Sequence, residues 1–260
     1  MTINISIFET WFNDYTSDVL TRCAPSVKHM AEMKIAHTYR VQRHAVNIAR
    51  GLGFCAYDVC LASIIGLFHD LGRFRQVIEF ETMSDRITGS HADMSADIFE
   101  TDAPKTGLTP KEVQIITDAL KYHNLLAIPE GVDKKTLLFS QLIRDADKLD
   151  ILDLFSDWEN NKKFLYLGTA EGKATPELMD MVMQGKNFDN KLVKNANDCR
   201  LLYISMIFDI NFAPAFEWIL ENDILTKITA GEDEMEKVAE YVTDWVINQQ
   251  KICAAPSTRG

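Results

Sequence analysis

A histidine and an aspartate stand side by side at the end of an apolar run, in the segment LFHDLGRF at residues 67–74. Burial of an unpaired charge is costly, so both side chains need a compensating partner. Three further histidines lie near helix ends or on apolar-faced helices, and another aspartate recurs at helical spacing in LIRDADKLDIL. The six residues are His37, His69, Asp70, His91, His123 and Asp147. Imidazole and carboxylate together suit a first-row transition metal, whereas magnesium alone fits this set poorly.

Helices must position these side chains, because apolar residues recur with helical spacing nearly throughout and no run alternates as a strand does. The first helix is expected to stop near Pro25, and Asp58 is expected to cap the third. Gly72 lies just beyond that third helix and should relieve its end, so that His69 and Asp70 reach one centre. The other helices are expected at about 27–50, 91–100, 109–123, 134–154, 175–185, 195–209, 212–221 and 232–250. The predicted fold class is all-α.

Composition and charge exclude several functions. The chain has 260 residues, a formal net charge of −11 and no basic run, which argues against binding to a nucleic-acid polymer or an anionic membrane surface. No apolar stretch reaches a membrane-spanning length, and the N-terminus lacks the features of a secretory signal, so a cytoplasmic location is expected. The five cysteines form no Cys-x-x-Cys pair and indicate neither a thiolate zinc site nor a disulfide framework.

The order of the six residues resembles the HD-domain superfamily, whose pattern is a first His, a His-Asp doublet and a later Asp on another helix. Dinuclear members add two further histidines, and the segments HTYRV and ADKLD also resemble the wording of the family motifs. The resemblance covers about residues 30–152. It implies an HD-domain helical bundle for that segment. The apolar spacing predicts a helical C-terminal extension at about 153–250, and the chain length favours a single all-α domain over residues 1–260.

The resemblance implies two ion sites that share one carboxylate. The ligands of the first ion would be His37, His69, Asp70 and Asp147. The ligands of the second would be Asp70, His91 and His123. The expected cofactors are two divalent transition-metal ions, chosen from Mn, Fe, Co, Ni and Zn, with no other cofactor. Asp145 competes with Asp147 as the last aspartate, but the ADKLD wording favours Asp147.

The function implied by this resemblance is hydrolysis of a small phosphate ester, with nucleotides among the candidates, by a metal-bound hydroxide. Cations beside the ligands could neutralise the charge of the transition state. Arg73, Lys121 and Lys148 are the candidates, and Asp70, Lys121 and Arg73 are the predicted catalytic residues. A solvated or structural charge stays the alternative for each cation. The sequence does not determine the oligomeric state.

One departure from the family pattern argues against a cyclic dinucleotide as the substrate. The segment KYHNLLAIPEG has Tyr122 where the cyclic-dinucleotide phosphodiesterase branch has the first of two histidines, and it lacks the Gly-Tyr-Pro loop of that branch. Two other functions stay open. A mixed-valent di-iron oxygenase uses the same kind of His and Asp set, and a ligand-binding sensor could keep the pocket without turnover.

Overall fold

The structure is a computed structural model that describes residues 3–161 and 170–254. Every regular element within those two ranges is a helix, which confirms the predicted all-α fold class. Among the described residues, no helix is both long enough and apolar enough to cross a membrane. The chain divides into two compact units, residues 1–147 and 148–260. That all 260 residues form a single domain stays a prediction.

The first unit consists of helices, and the second part of the third one is buried. Its elements are α1 (Ile5–Arg22), α2 (Lys28–Gly51), α3 (Ala56–Phe68), α4 (Leu71–Phe80), α5 (Asp85–Thr88), α6 (His91–Thr101), α7 (Pro110–Tyr122) and the part of α8 (Lys134–Ser156) that ends at Asp147. All residues from Leu61 to Phe68 in α3 are buried. A Cβ added at Gly66 would lie only 2.8 Å from Cα of Gln42, so α2 and α3 approach too closely for a side chain there.

The observed N-caps of α3 and α7 can be compared with the capping residues expected from the sequence. Thr109 and Glu112 form a capping box at α7, in which the Glu112 carboxylate accepts from the Thr109 amide at 2.7 Å. The prediction that Asp58 caps α3 is wrong, because Cys55 is the N-cap. Asp58 lies in the first turn instead, where its carboxylate pairs with the Lys135 ammonium at 2.6 Å.

The second unit is also helical, as the predicted C-terminal extension requires. It contains the end of α8, α9 (Trp158–Asn161), α10 (Pro176–Met183), α11 (Ala196–Ser205), α12 (Ala213–Glu221), α13 (Ile224–Thr229) and α14 (Glu236–Ala254). The rings of Phe155 and Tyr203 stack with their centroids 3.6 Å apart, next to buried Trp158 and Cys199. This apolar packing fixes α11 against the end of α8.

Candidate metal centre

The His69–Asp70 pair lies in a two-residue break between α3 and α4. His69 keeps a helical backbone, whereas Asp70 adopts φ −109° and ψ 19°, in the sparsely populated bridge region where many active-site residues occur. In a continuous helix the two side chains would point about 100° apart. The break lets both side chains point into one buried place, where His69 is 0% and Asp70 3% exposed.

Gly72 contributes to the site in a different way from the one predicted. It lies inside α4 with a helical backbone and does not mark the end of a helix. A Cβ on Gly72 would lie 2.1 Å from the carbonyl oxygen of His91 and 2.8 Å from Cβ of Met94. The Gly72 amide donates to Oγ of Ser95 at 2.8 Å, and that hydroxyl donates to the His91 carbonyl at 2.9 Å. The glycine therefore permits the close approach of α4 to α6 that brings His91 beside Asp70.

One group of side chains surrounds Oδ2 of Asp70. Nε2 of His37, from α2, lies 3.5 Å from this oxygen, and Nε2 of His69 lies 3.4 Å from it. The two ring nitrogens are 3.3 Å apart. Oδ1 of Asp147, from α8, lies 3.2 Å from Nε2 of His37 and 3.8 Å from Nε2 of His69. His37, His69 and Asp70 are close enough together to hold a metal ion.

A second group surrounds the other oxygen of the same carboxylate. Nε2 of His91, at the start of α6, lies 3.3 Å from Oδ1 of Asp70, and Nε2 of His123, just after α7, lies 3.8 Å from it. The two ring nitrogens are 3.1 Å apart. Asp70, His91 and His123 could likewise hold a metal ion. Asp70 thus contacts one histidine pair through each of its oxygens.

The hydrogen bonds on the far sides of the rings determine which ring nitrogens carry lone pairs. Nδ1 of His69 lies 2.8 Å from the Gly66 carbonyl oxygen, and Nδ1 of His123 lies 2.7 Å from that of Leu120. Carbonyl oxygens only accept, so both Nδ1 atoms donate. In a neutral ring, Nε2 then carries the lone pair and faces into the site.

Nδ1 of His91 also faces an acceptor outside the centre, and in this case the acceptor is a carboxylate. Its Nδ1 lies 2.7 Å from Oδ2 of Asp85, on α5. Burial, with His91 and His69 nearby, lowers the pKa of His123 to about 3, so this ring is neutral near pH 7. Nε2 of the neutral His123 ring therefore carries a lone pair and faces Nε2 of His91 at 3.1 Å. This set of ring nitrogens fits a divalent transition-metal ion, because imidazole Nε2 atoms that point to one place can ligate the same ion.

The two aspartates of the site carry negative charge. Burial by itself would raise the pKa of Asp70, but the Lys34 ammonium and the neighbouring histidines outweigh it and hold this pKa well below its usual value. Burial opposes ionisation of Asp147 too, yet its hydrogen bond from His37 and the proximity of His37 and His69 hold its pKa low. Ionised carboxylates are the form that ligates a metal.

Lys34 is a site residue that the sequence reasoning missed. Its ammonium lies 2.6 Å from Oδ2 of Asp70. The signal was present in the sequence, because Lys34 precedes His37 by three residues on α2 and therefore lies on the same helix face. Nothing in the local sequence indicates that this face meets Asp70, which is 36 residues further along the chain.

The three cations that were predicted to bind phosphate have different surroundings in the structure. Nε of Arg73 lies 3.8 Å from Oδ1 of Asp70 and is buried without a hydrogen-bond partner. Lys121 is half-buried, and within the described ranges its side chain makes no hydrogen bond or ion pair. Lys148 pairs with Asp209 at 2.7 Å. Arg73 therefore approaches one of the six predicted ligands, and the catalytic roles of Arg73 and Lys121 stay predictions.

Arg73 also holds the segment between α4 and α6. One of its terminal nitrogens donates to Oε1 of Gln76 at 3.0 Å and to Oδ1 of Asp85 at 2.9 Å. The Gln76 amide donates to the same Asp85 oxygen at 2.8 Å. These contacts hold the Asp85 carboxylate against His91. Burial opposes ionisation of Asp85, but the hydrogen bond with His91 first, and then Gln76 and Arg73, keep its pKa low.

Residues 35–152 match the family model described as the HD domain, and all six residues of the centre lie within that range. This segment of the chain is an HD domain, and proteins of that superfamily are generally metal-dependent hydrolases. Searches of curated proteins and of solved structures give no significant match. The prediction of family membership from the order of the motifs is therefore confirmed.

Proposed function

We propose that this protein is a metal-dependent phosphohydrolase that acts on a small phosphate ester, with nucleotides among the candidate substrates. One observation carries the proposal. Two histidine pairs face the two oxygens of a single buried aspartate, and the Nε2 atoms of each pair lie within 3.3 Å of each other. Such a set of ligands is suited to two adjacent cations.

The proposed ligands follow the two groups around Asp70. The first ion would be held by His37, His69, Asp70 and Asp147. The second ion would be held by Asp70, His91 and His123. When bound, two divalent ions would supply Lewis acidity to a phosphoryl oxygen and lower the pKa of a coordinated water toward neutrality.

The protein's own residues contribute orientation, charge and burial. The Gly66 and Leu120 carbonyls keep Nε2 of His69 and His123 directed inward. Asp70 links the two groups, because each of its oxygens contacts a different histidine pair. The low exposure of these side chains reduces the local dielectric constant and strengthens electrostatic interactions with a transition state.

Arg73 is the predicted cation that best fits this function. Its Nε is buried, has no hydrogen-bond partner and lies 3.8 Å from Oδ1 of Asp70. We expect this N–H to donate to a phosphoryl oxygen, which would satisfy a buried donor as well as stabilise negative charge. Lys121 remains a further prediction, without a contact that supports it.

The test is anaerobic reconstitution of the metal-free protein with Mn²⁺, followed by a screen of phosphate esters and nucleotides for phosphate release. We expect turnover without oxygen, and no turnover by Asp70→Asn treated in the same way. Activity that requires iron and consumes oxygen would instead establish the di-iron oxygenase. Ligand binding without turnover under any metal would establish the sensor.

A further inference from the structure

Lys34 differs from the other cations near the centre in the residue with which it forms an ion pair. Within the described residues, its one ion pair is the 2.6 Å contact with Oδ2 of Asp70. Arg73 contacts Asp85 and Gln76, and Lys148 contacts Asp209. Lys34 is therefore the cation whose closest partner is itself a predicted metal ligand.

The oxygen that Lys34 contacts is the one that faces the first histidine pair. Nε2 of His37 and Nε2 of His69 lie within 3.5 Å of the same Oδ2 atom. An ion held by these two histidines and Asp70 would therefore share this oxygen with the Lys34 ammonium. Two cations on one carboxylate oxygen repel each other in a buried site, where little solvent screens them. An additional anion would relieve that repulsion.

Lys34 also lies on a side of the centre that solvent can reach. Its side chain is 27% exposed, compared with 4% for Asp70 and 0% for His69. Asp147 is the other partly exposed member of this group, at 23%. An anion that arrives from solvent therefore meets the Lys34 ammonium before it reaches the buried histidines, and electrostatic attraction would favour that approach.

We propose that Lys34 binds a non-bridging oxygen of the substrate's phosphoryl group once the metal ions occupy the centre, an inference that rests on the proposed function. The lysine is well suited to this task, because its ammonium has three donors on a flexible stem and can turn from Asp70 to a phosphate oxygen. In the metal-free protein, the same ammonium compensates the charge of the buried Asp70 carboxylate.

The experiment compares Lys34→Met with the wild-type protein, both loaded with Mn²⁺ under anaerobic conditions. Bound metal is measured by elemental analysis, inorganic phosphate binding by isothermal titration calorimetry, and phosphate release with the best ester from the screen. We expect unchanged metal content and about 10- to 100-fold weaker phosphate binding, the effect of losing one charged hydrogen bond. The KM for the ester should rise as phosphate binding weakens. Lys34→Arg should keep phosphate affinity within about 10-fold of wild type, because it keeps the charge.

Lys28→Met is the matched control, because Lys28 is an exposed lysine at the start of the same helix. It should leave phosphate affinity unchanged. Equal phosphate affinity in Lys34→Met and wild type would overturn the role of Lys34 while the phosphohydrolase proposal stands. Loss of metal from Lys34→Met would also overturn it, since the lysine would then support the metal ligands. Wild-type protein that binds metal but neither binds phosphate nor hydrolyses any ester would overturn both proposals.

Discussion

Two buried polar clusters, one in each unit, differ in where their hydrogen bonds lead. In the first unit, the inward nitrogens of His91 and His123 face each other, and both oxygens of Asp70 face histidines. In the second unit, Asp198 is fully buried, and its carboxylate accepts from three donors of the chain. Oδ1 accepts from the Thr175 amide at 2.7 Å.

Other groups of the second cluster also bond to atoms of the chain. Oδ2 of Asp198 accepts from the Thr175 hydroxyl at 2.9 Å and from the Lys194 amide at 3.0 Å. Arg200 donates to the Ile228 and Ala230 carbonyls, each at 3.0 Å, and its guanidinium lies over the Trp158 ring. Backbone partners of this kind tie loops to helices, which makes the cluster structural.

The comparison separates two reasons for burying charge. A carboxylate whose acceptor sites are filled by amides and hydroxyls of its own chain stabilises the fold. Histidine pairs whose inward nitrogens surround a shared carboxylate form a set of ligands that a metal ion could bind. Removing a residue should therefore affect metal content in the first cluster and the free energy of unfolding in the second.

The largest effect is expected from Asp70→Asn. The amide keeps the shape of the side chain but removes the charge that both ions would share, so bound metal and activity should fall below detection. Elemental analysis and circular dichroism would measure metal content and helical content, and the helical content should stay near wild type. Full metal occupancy in this variant would refute the assignment of the centre.

His91→Ala and His123→Ala should each lose one ion and keep the other. The remaining ion would keep His37, His69, Asp70 and Asp147 as ligands. Metal stoichiometry should fall from two ions per chain to one, and exposed His29 provides the control in His29→Ala. If the wild-type protein saturates at one ion with every metal tried, His91 and His123 have a structural role instead.

Asp198→Ala should show the opposite behaviour. Three donors would lose their charged acceptor in a buried place, and we expect the free energy of unfolding to fall by about 3 kcal/mol. Metal stoichiometry of the folded protein should match wild type. Chemical denaturation measures the first quantity and elemental analysis the second, and loss of metal at unchanged stability would remove the contrast between the clusters.

Gly72→Ala should perturb the metal centre through packing alone. The new Cβ would approach the His91 carbonyl oxygen at 2.1 Å, so α4 and α6 must separate. Overpacking of this kind costs about 2 kcal/mol, and the second ion should bind more weakly than the first. Gly172→Ala is the comparison, because its Cβ would meet nothing nearer than 3.2 Å. Equal stability of the two variants would contradict the role of the close approach.

The smallest effect is expected from Asp85→Asn. The amide is a weaker acceptor for Nδ1–H of His91, so this ring loses part of its orientation. Affinity for the second ion should fall about 10-fold, the lower end for partners of metal ligands. Asp93→Asn changes an exposed aspartate on the same helix as His91 and should leave metal affinity unchanged. An equal loss of metal affinity in both variants would mean that the change of charge causes it and that the contact between Asp85 and His91 does not.

Helices with clear local signals could be predicted from the sequence, and those without them could not. The capping box of α7 and the apolar period of α2 place both helices near their predicted bounds. Helix α4 was not predicted, because Gly72 was interpreted as a stop signal when its actual role is close packing against His91. Helix α5 spans only Asp85–Thr88 and is too short for any periodic pattern.

The sequence by itself determined the helical fold class and the set of residues that meet at the centre. Apolar period encodes helices locally, and the order of His and Asp residues identifies the family. The tertiary structure decided which oxygen of Asp70 faces which histidine pair, and that Lys34 and Asp85 join them. These contacts depend on how α2, α4, α5 and α6 pack. A helical period determines which face a side chain occupies, but not the distant residue that this face meets.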